Sequence, residues 1–302
     1  MMRKIILLFI SIVSLQAKAQ QDAQTSMYFF NPLNYNPAYA GTRGSLNVTG
    51  VNRAQWVGWD GAPRTQFLSV HAPIAQKHIG LGGSLSYDKI GSRSAYSAMA
   101  NFAYHLRLNS KDLRLSFGAS AGINGNQYDF SDLMVTDPSD PTFLTSNRSV
   151  KTQFGSGVYL HSKKGYLGFS VPKLLKRSID GNTGSSFIQK HYYWAAGYVI
   201  TVNSIFDLKP SLLIKYTKNA PATIDVNLSA HLYKMLWVGG LFRYNESMGF
   251  NTSYQINEKF MVGYAFDFPF NSLNYRNWGS HEIVLCMDIW SKNNAFISPR
   301  YF

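Results

Sequence analysis

The sequence predicts an all-β protein: a transmembrane outer-membrane β-barrel of about fourteen antiparallel strands, with an N-terminal arm that plugs the lumen. Three observations predict it. Apolar and small or polar residues alternate over long segments, which is the period of a strand with one apolar face. These segments are mostly about as long as the ~9–11 residues that cross a bilayer at a tilt, well beyond the ~5–6 of ordinary strands. Connections between them alternate between longer and shorter ones, the pattern of a barrel with loops at one rim and turns at the other. Aromatic residues make up 15% of the chain and charged residues only 15%, which suits a surface partly out of water.

At the N-terminus, Arg3 and Lys4 precede an apolar run from Ile5 to Leu15, and Ala17-Lys18-Ala19 has the small-x-small form of a secretory cleavage site. Residues 1–19 are expected to be a signal peptide cut after Ala19. The run is shorter than the ~20 residues of a spanning helix, and no apolar run beyond it is long enough to be one. No cysteine follows the cleavage site, so no lipoprotein anchor is expected.

Residues 20–43 form the expected arm, and residues 44–302 the barrel. The arm contains "NPLNYNPAYAG", Asn31 to Gly41, with two Asn-Pro pairs that start turns and oppose helix. Its aromatic residues would be costly to leave in water. A lumen of about fourteen strands is wider than the eight-strand case that side chains alone fill. The arm is therefore expected to fold into or under the barrel, with Tyr28, Phe30, Asn31, Asn36 and Tyr39 as its plug residues and Gly41 turning the chain into the first strand.

Strands are expected near 45–57, 64–73, 79–88, 95–108, 112–128, 152–161, 165–171, 190–202, 206–217, 221–232, 235–244, 247–257, 259–268 and 280–291. "KFMVGYAFDF" shows the rhythm: Phe260, Val262, Tyr264, Phe266 and Phe268 share one face, opposite Met261, Gly263, Ala265 and Asp267. In a barrel the first set meets lipid and the second lines the interior. The longer connections are "VGWDGAP", "KIGSRS", 129–151, 172–189, "KNAP" and "PFNSLNYRNWG"; the shorter are "IAQKH", "NSKD", "SKKG", "NSI", "KM" and "NE". That parity puts the N-terminus on the periplasmic side. The chain ends "SPRYF", similar to the terminal aromatic sorting signal of outer-membrane barrels.

Catalytic signatures are missing. There is no P-loop, GxGxxG, HExxH or GxSxG. Seven histidines are scattered without the i,i+4 spacing of a helical metal site. Ser280, His281 and Glu282 are neighbours, but neighbours in a strand face opposite ways. No enzymatic activity, cofactor or metal is expected. Asp129, Asp132, Asp137 and Asp140 crowd one loop, where calcium is conceivable but a solvated turn is the plainer reading. Cys286, the single cysteine, sits in a strand-like run and reads as a packing residue.

The densest cluster is "QWVGWDGAP", Gln55 to Pro63. Indoles favour the membrane boundary, and aromatics with arginine favour protein contacts. Trp56, Trp59, Asp60, Arg64 and Trp278 are the candidate partner-binding residues. The net charge of +13 stays positive without the leader. Export argues against nucleic acid as the partner and favours phosphate-bearing lipid of the outer membrane or an acidic protein.

Nearly the whole mature chain resembles the PorP/SprF family of the type IX secretion system in Bacteroidetes. The residues that carry the resemblance are "QQDAQTSMYFFNPLNYNPAYAG", "RAQWVGWDGAPRTQFLSVHAP" at Arg53 to Pro73, "GLGGSLSYDKIG" at Gly80 to Gly91, "YLGFSVPKLL" at Tyr166 to Leu175, "HYYWAAGYV" at His191 to Val199, "LKPSLLIK" at Leu208 to Lys215, "GSHEIVL" at Gly279 to Leu285, and "SPRYF". Departures are conservative; Trp59 stands where another aromatic is expected. The resemblance implies an outer-membrane barrel needed for secretion or cell-surface attachment of an adhesin or other type IX substrate, engaged through that partner's C-terminal domain. It also implies coupling to periplasmic ring components of the secretion and gliding machinery. The rival readings are a channel for small hydrophobic solutes and an exported, soluble β-sandwich.

Overall fold

The computed structural model describes residues 22–74, 78–108, 113–130, 147–178, 187–218, 220–270 and 277–289. The signal peptide with its Ala19 cleavage site, and the C-terminal "SPRYF", lie outside the described residues.

Alternating side chains fold as strands because each segment can then turn one face to lipid and one inward. The strands are β1 (Leu46–Ala54), β2 (Arg64–Ile74), β3 (Ile79–Ile90), β4 (Arg93–Arg107), β5 (Arg114–Tyr128), β6 (Asn147–His161), β7 (Gly165–Val171), β8 (Arg177–Ser178), β9 (Phe187–Ile188), β10 (His191–Tyr198), β11 (Ile200–Thr201), β12 (Phe206–Thr217), β13 (Thr223–Leu232), β14 (Leu236–Arg243), β15 (Ser247–Gln255), β16 (Phe260–Pro269) and β17 (Ser280–Ile289). Strands β8 and β9 pair only with each other, a small ribbon in the connection after β7. The rest close one antiparallel barrel. Strand β1 pairs with β17 through Leu46↔Ile289 to Ala54↔His281, and β10 pairs with β12, so no edge is left open. Closure matters in hydrocarbon because every backbone N–H and C=O needs a partner within the protein.

Every one of the fourteen expected strands is present, with three differences. First, β3 and β4 continue to a tight turn where Ile90 pairs with Arg93, so "KIGSRS" is no long loop. Gly91 takes a φ of 54° there, which glycine adopts without steric cost. Second, β6 begins at Asn147, earlier than expected, because β5 extends alongside it to Tyr128. Third, the strand after β9 is interrupted at Val199, which separates β10 from β11. The register Gly197↔Ser211 and Ile200↔Leu208 carries Tyr198 opposite Pro210, which has no N–H for the ladder. Val199 N–H donates instead to the Lys164 carbonyl at 2.6 Å.

The faces follow the alternation. In β16, Phe260 and Phe268 are exposed and Met261, Gly263, Ala265 and Asp267 are buried. The outward set includes Leu85, Phe117, Phe154, Leu167, Phe250 and Leu285, a surface that suits lipid. The described surface is thus apolar around the wall, while the buried inward set is rich in Asn, Ser, Thr and charged residues.

Candidate functional site

The lumen is occupied by the arm. Residues 22–45 contain three single-turn 3₁₀ helices, Tyr28–Phe30, Pro32–Asn34 and Pro37–Tyr39. Proline opens the second and third, where its missing N–H costs nothing. The Asn36 side chain accepts from Ala38 N–H at 3.0 Å and caps the third.

Contacts place the arm along the barrel. Asp22 meets Lys173 at 2.6 Å, beyond β7, and His191 at 3.4 Å, at the start of β10. These lie at the rim of the longer loops. Farther along, Ser26 and Met27 N–H groups donate to Glu282 at 2.7 and 2.8 Å. Arg53 binds Ser26 Oγ at 2.5 Å, Glu282 at 3.1 Å and Asp267 at 2.5 Å, and Ser26 Oγ donates to Asp267. Phe29 and Phe30 lie 4.5 and 5.4 Å from the Lys209 ammonium, with Trp237 at 4.6 Å on the same cation. Asn31 Oδ1 accepts from Ser69 at 2.8 Å. Ser170 donates to the Tyr35 carbonyl at 2.6 Å, and Tyr35 stacks on Tyr193. Asn36 Nδ2 donates to the Val158 carbonyl at 3.1 Å. Tyr39 meets His71 and Tyr159 edge-on. Gly41 N–H donates to His71 at 3.1 Å, and Gly41 has a φ of 76° just before β1. Arg43 reaches Asp288, and so do Ser45 and Asn47.

The arm touches the wall backbone to backbone. A Cβ on Gly118 would lie 2.1 Å from Ala38 N, and one on Gly80 would lie 1.9 Å from the Ala40 carbonyl oxygen. Glycine at these two places is what lets the third 3₁₀ helix lie flush.

The direction of the arm corrects the expectation for the N-terminus. Strand β1 does start at the short-turn rim, the periplasmic one by the barrel pattern. The arm, however, runs back through the lumen, so Asp22 sits by the opposite rim. Burial works to raise the Asp22 carboxyl, and the charges of Lys173, His191 and Lys215 outweigh it, holding it well below the usual carboxylate range.

Of the expected plug residues, Tyr28, Phe30, Asn31, Asn36 and Tyr39 are all buried inside the barrel. Residues on the barrel side that hold the arm were missed, above all Arg53, Asp267 and Glu282 at Ser26 and Met27, and Lys209 at Phe29 and Phe30. The signal was available as charges on the small-residue face of strands.

At the outer rim, the β1–β2 loop is tied to the loop before β17. Val57 N–H donates to Gly279 O at 2.9 Å, and Trp278 N–H to Val57 O at 2.8 Å. Trp56 and Trp59 lie 6.2 Å apart, and Trp278 is 78% exposed. Asp60 is exposed in the same loop. Arg64 stands apart: it starts β2 on the outward face, across from Lys89. Ser280 and Glu282 face the lumen, whereas His281 turns outward and meets Tyr264 Oη at 2.7 Å. Cys286 is buried inward. Asp129 is bound through its N–H to the Ser92 carbonyl at 2.9 Å. Asp132, Asp137 and Asp140 lie outside the described residues.

A closed barrel of fourteen strands with an apolar exterior defines the class: an integral outer-membrane β-barrel protein. Solved outer-membrane proteins are similar to this chain. The CymD monoaromatic hydrocarbon channel aligns with 88% of this chain and 94% of its own, at 12% identity and a TM-score of 0.51. The outer membrane protein Omp33 of Acinetobacter baumannii aligns with 82% of this chain and 100% of its own, at 11% identity and a TM-score of 0.49. The KdgM porin aligns with 81% and 99%, at 9% and 0.38. At 12% identity the likeness to CymD shows fold alone, and nothing rests on the other two. A comparison with the curated proteins matches none of them. Residues 17–287 match the family described as "Type IX secretion system membrane protein PorP/SprF", and the chain belongs to that family. Its place is the outer membrane.

Proposed function

We propose that this barrel serves type IX secretion without catalysis, by holding a secreted partner at its outer rim. The partner is an adhesin or another substrate of the system, engaged through its C-terminal domain. Periplasmic ring components of the secretion and gliding machinery are the proposed contact at the short-turn rim. The observation that carries this reading is the occupied lumen: from Ser26 to Ala40 the arm is largely buried and bonded to the wall. A barrel filled in this way works at its rims rather than by free passage.

The outer contact is assigned to Trp56, Trp59, Asp60 and Trp278, which the two joined loops present together; Arg64, apart from them on the outward face of β2, is left out of it. Aromatic anchors of this kind concentrate binding energy. The test is affinity purification from native membranes with Trp56, Trp59 and Trp278 changed to Ala. The reading expects the retained partner to be lost while the barrel still shifts on heating in gels. Unchanged retention rejects it.

The second reading is a channel for small hydrophobic solutes, with the arm as a hatch. What favours it is the pair of cavities beside the arm, near the outer rim. Their walls include Asp22, Asp88, Arg93 and Lys215, a poor match for such solutes. Uptake of toluene by liposomes carrying the barrel would support this second reading.

A further inference from the structure

The lipid-facing side of the wall carries a row of cations at the outer ends of β2 to β6. Arg64 pairs with Lys89, Lys89 with Ser94, Ser94 with Gln127 and Gln127 with Arg148, so these five are successive cross-strand neighbours. Arg64, Lys89 and Arg148 are exposed, and no acid stands in the row. Like charges directly opposite each other repel, and among the described residues Arg64 and Lys89 have no anionic partner. Arg148 leans back across β5: its Nε donates to Tyr96 Oη at 3.2 Å, and its guanidinium lies 5.9 Å from the centre of that ring. A third positive charge is thereby brought over β4, the strand beside Lys89. Three cations gathered without an anion match a phosphate-bearing ligand.

The wall beneath the row narrows the ligand. One step nearer the midplane Tyr87 and Tyr96 face each other, as aromatic residues do at a membrane boundary. Leu85 and Ala98 follow, and then Gly83, Ala100 and Ala121 lie side by side, exposed, between Val70 and Phe154. A Cβ on Gly83 would meet nothing nearer than 3.9 Å, so these small residues form a shallow trough open to lipid. From Lys89 to Gly83 the chain covers about 20 Å along the strand, or roughly 14 Å of depth at a tilt of ~45°. One leaflet is about half of the ~30 Å hydrocarbon core, so the trough lies where acyl chains below the cations would run. An acidic protein segment would satisfy the cations and leave the trough empty. A phosphorylated lipid satisfies both.

We propose that Arg64, Lys89 and Arg148 bind the phosphate groups of an outer-leaflet lipid, whose acyl chains lie along the trough of Gly83, Ala100 and Ala121. The site gives Arg64 a role separate from the loop tryptophans. It lies on the wall rather than on the loops, so it stands whether or not those loops hold a secreted partner.

The test is native mass spectrometry of the detergent-solubilised protein titrated with diphosphoryl lipid A, with the same lipid after dephosphorylation, with inorganic phosphate and with a polyglutamate peptide. The proposal expects diphosphoryl lipid A to bind and the dephosphorylated lipid to bind more weakly. The double variant Arg64→Gln, Lys89→Gln should weaken the phosphorylated lipid about thirty-fold and Arg148→Gln about five-fold, as the loss of two surface cations and of one implies. All three side chains are exposed, so the barrel should still shift on heating in gels; Arg148→Gln is a separate reading if the double variant fails to fold. Lys259→Gln, in the turn before β16 at the opposite rim, should change nothing. Equal binding of the two lipids, binding unchanged in the folded variants, or a loss that Lys259→Gln reproduces overturns the proposal. So does displacement of the lipid by inorganic phosphate, which would mark a simple ion site, or binding of polyglutamate without the lipid, which would mark an acidic protein as the occupant.

Discussion

Arg53 joins the arm to the barrel, and replacing it by Met gives the sharpest expectation. The guanidinium holds Asp267 at 2.5 Å and Glu282 at 3.1 Å, and it donates to Ser26 Oγ at 2.5 Å. Methionine keeps much of the volume and removes the charge. Two buried carboxylates then face each other, with Arg243 4.0 Å from Asp267 as the cation that remains among the described ion pairs. Leaving buried charges unpaired costs about 3–5 kcal/mol. The arm makes no strand ladder with the wall, so it is the part that opens first. A loss of about 3 kcal/mol in its opening free energy means exchange of its amides roughly 150-fold faster. The assay is hydrogen exchange with mass spectrometry on the detergent-solubilised protein, read over residues 26–31. The triple variant Arg53→Met, Asp267→Asn, Glu282→Gln carries no unpaired charge and should recover part of the protection. Protection at 26–31 unchanged in the single variant would refute the claim that this cluster anchors the arm.

Other expectations follow from the same geometry. Gly118→Ala should lift the third 3₁₀ helix off the wall, because its Cβ would sit 2.1 Å from Ala38 N; exchange at 36–40 should rise while heat-modifiability persists. Cys286 is buried on the lumen side, so an impermeant maleimide should leave it unlabelled until residues 22–43 are deleted. The folded Asp22 carboxyl titrates below its unfolded value, so its contribution is present above the unfolded pKa and lost as pH falls through the folded one. Protection at 22–26 should therefore stay constant from neutral down to about pH 5. Lys173→Gln should move the acid-induced loss up toward the ordinary carboxylate range, as read by exchange against pH.

The wall was legible because each strand states its faces locally. Phe260, Val262 and Tyr264 against Met261, Gly263 and Ala265 needs no tertiary information. Departures arose where a distant residue decided. Pro210 breaks the ladder opposite Tyr198, twelve positions away in the chain, and nothing near Val199 announces it. The two-residue turn after Ile90 depends on the register of the whole β3–β4 hairpin. The arm was legible as something to bury, from Tyr28, Phe30 and Tyr39 in a turn-rich stretch. Its direction was not, because that rests on pairings such as Asp22 with Lys173 and Ser26 with Glu282, which no local pattern encodes. Asp267 and Glu282 could have been flagged as charges on an inward face. Their partner, Arg53, lies on β1 and meets Glu282 only when β1 closes against β17.

Conductance in planar bilayers tests most directly whether the arm fills the lumen. The barrel with its arm should carry no steady current. Deleting residues 22–43 should open a pore of porin-like conductance in an otherwise heat-modifiable barrel. A steady, porin-like current through the undeleted protein would contradict the account.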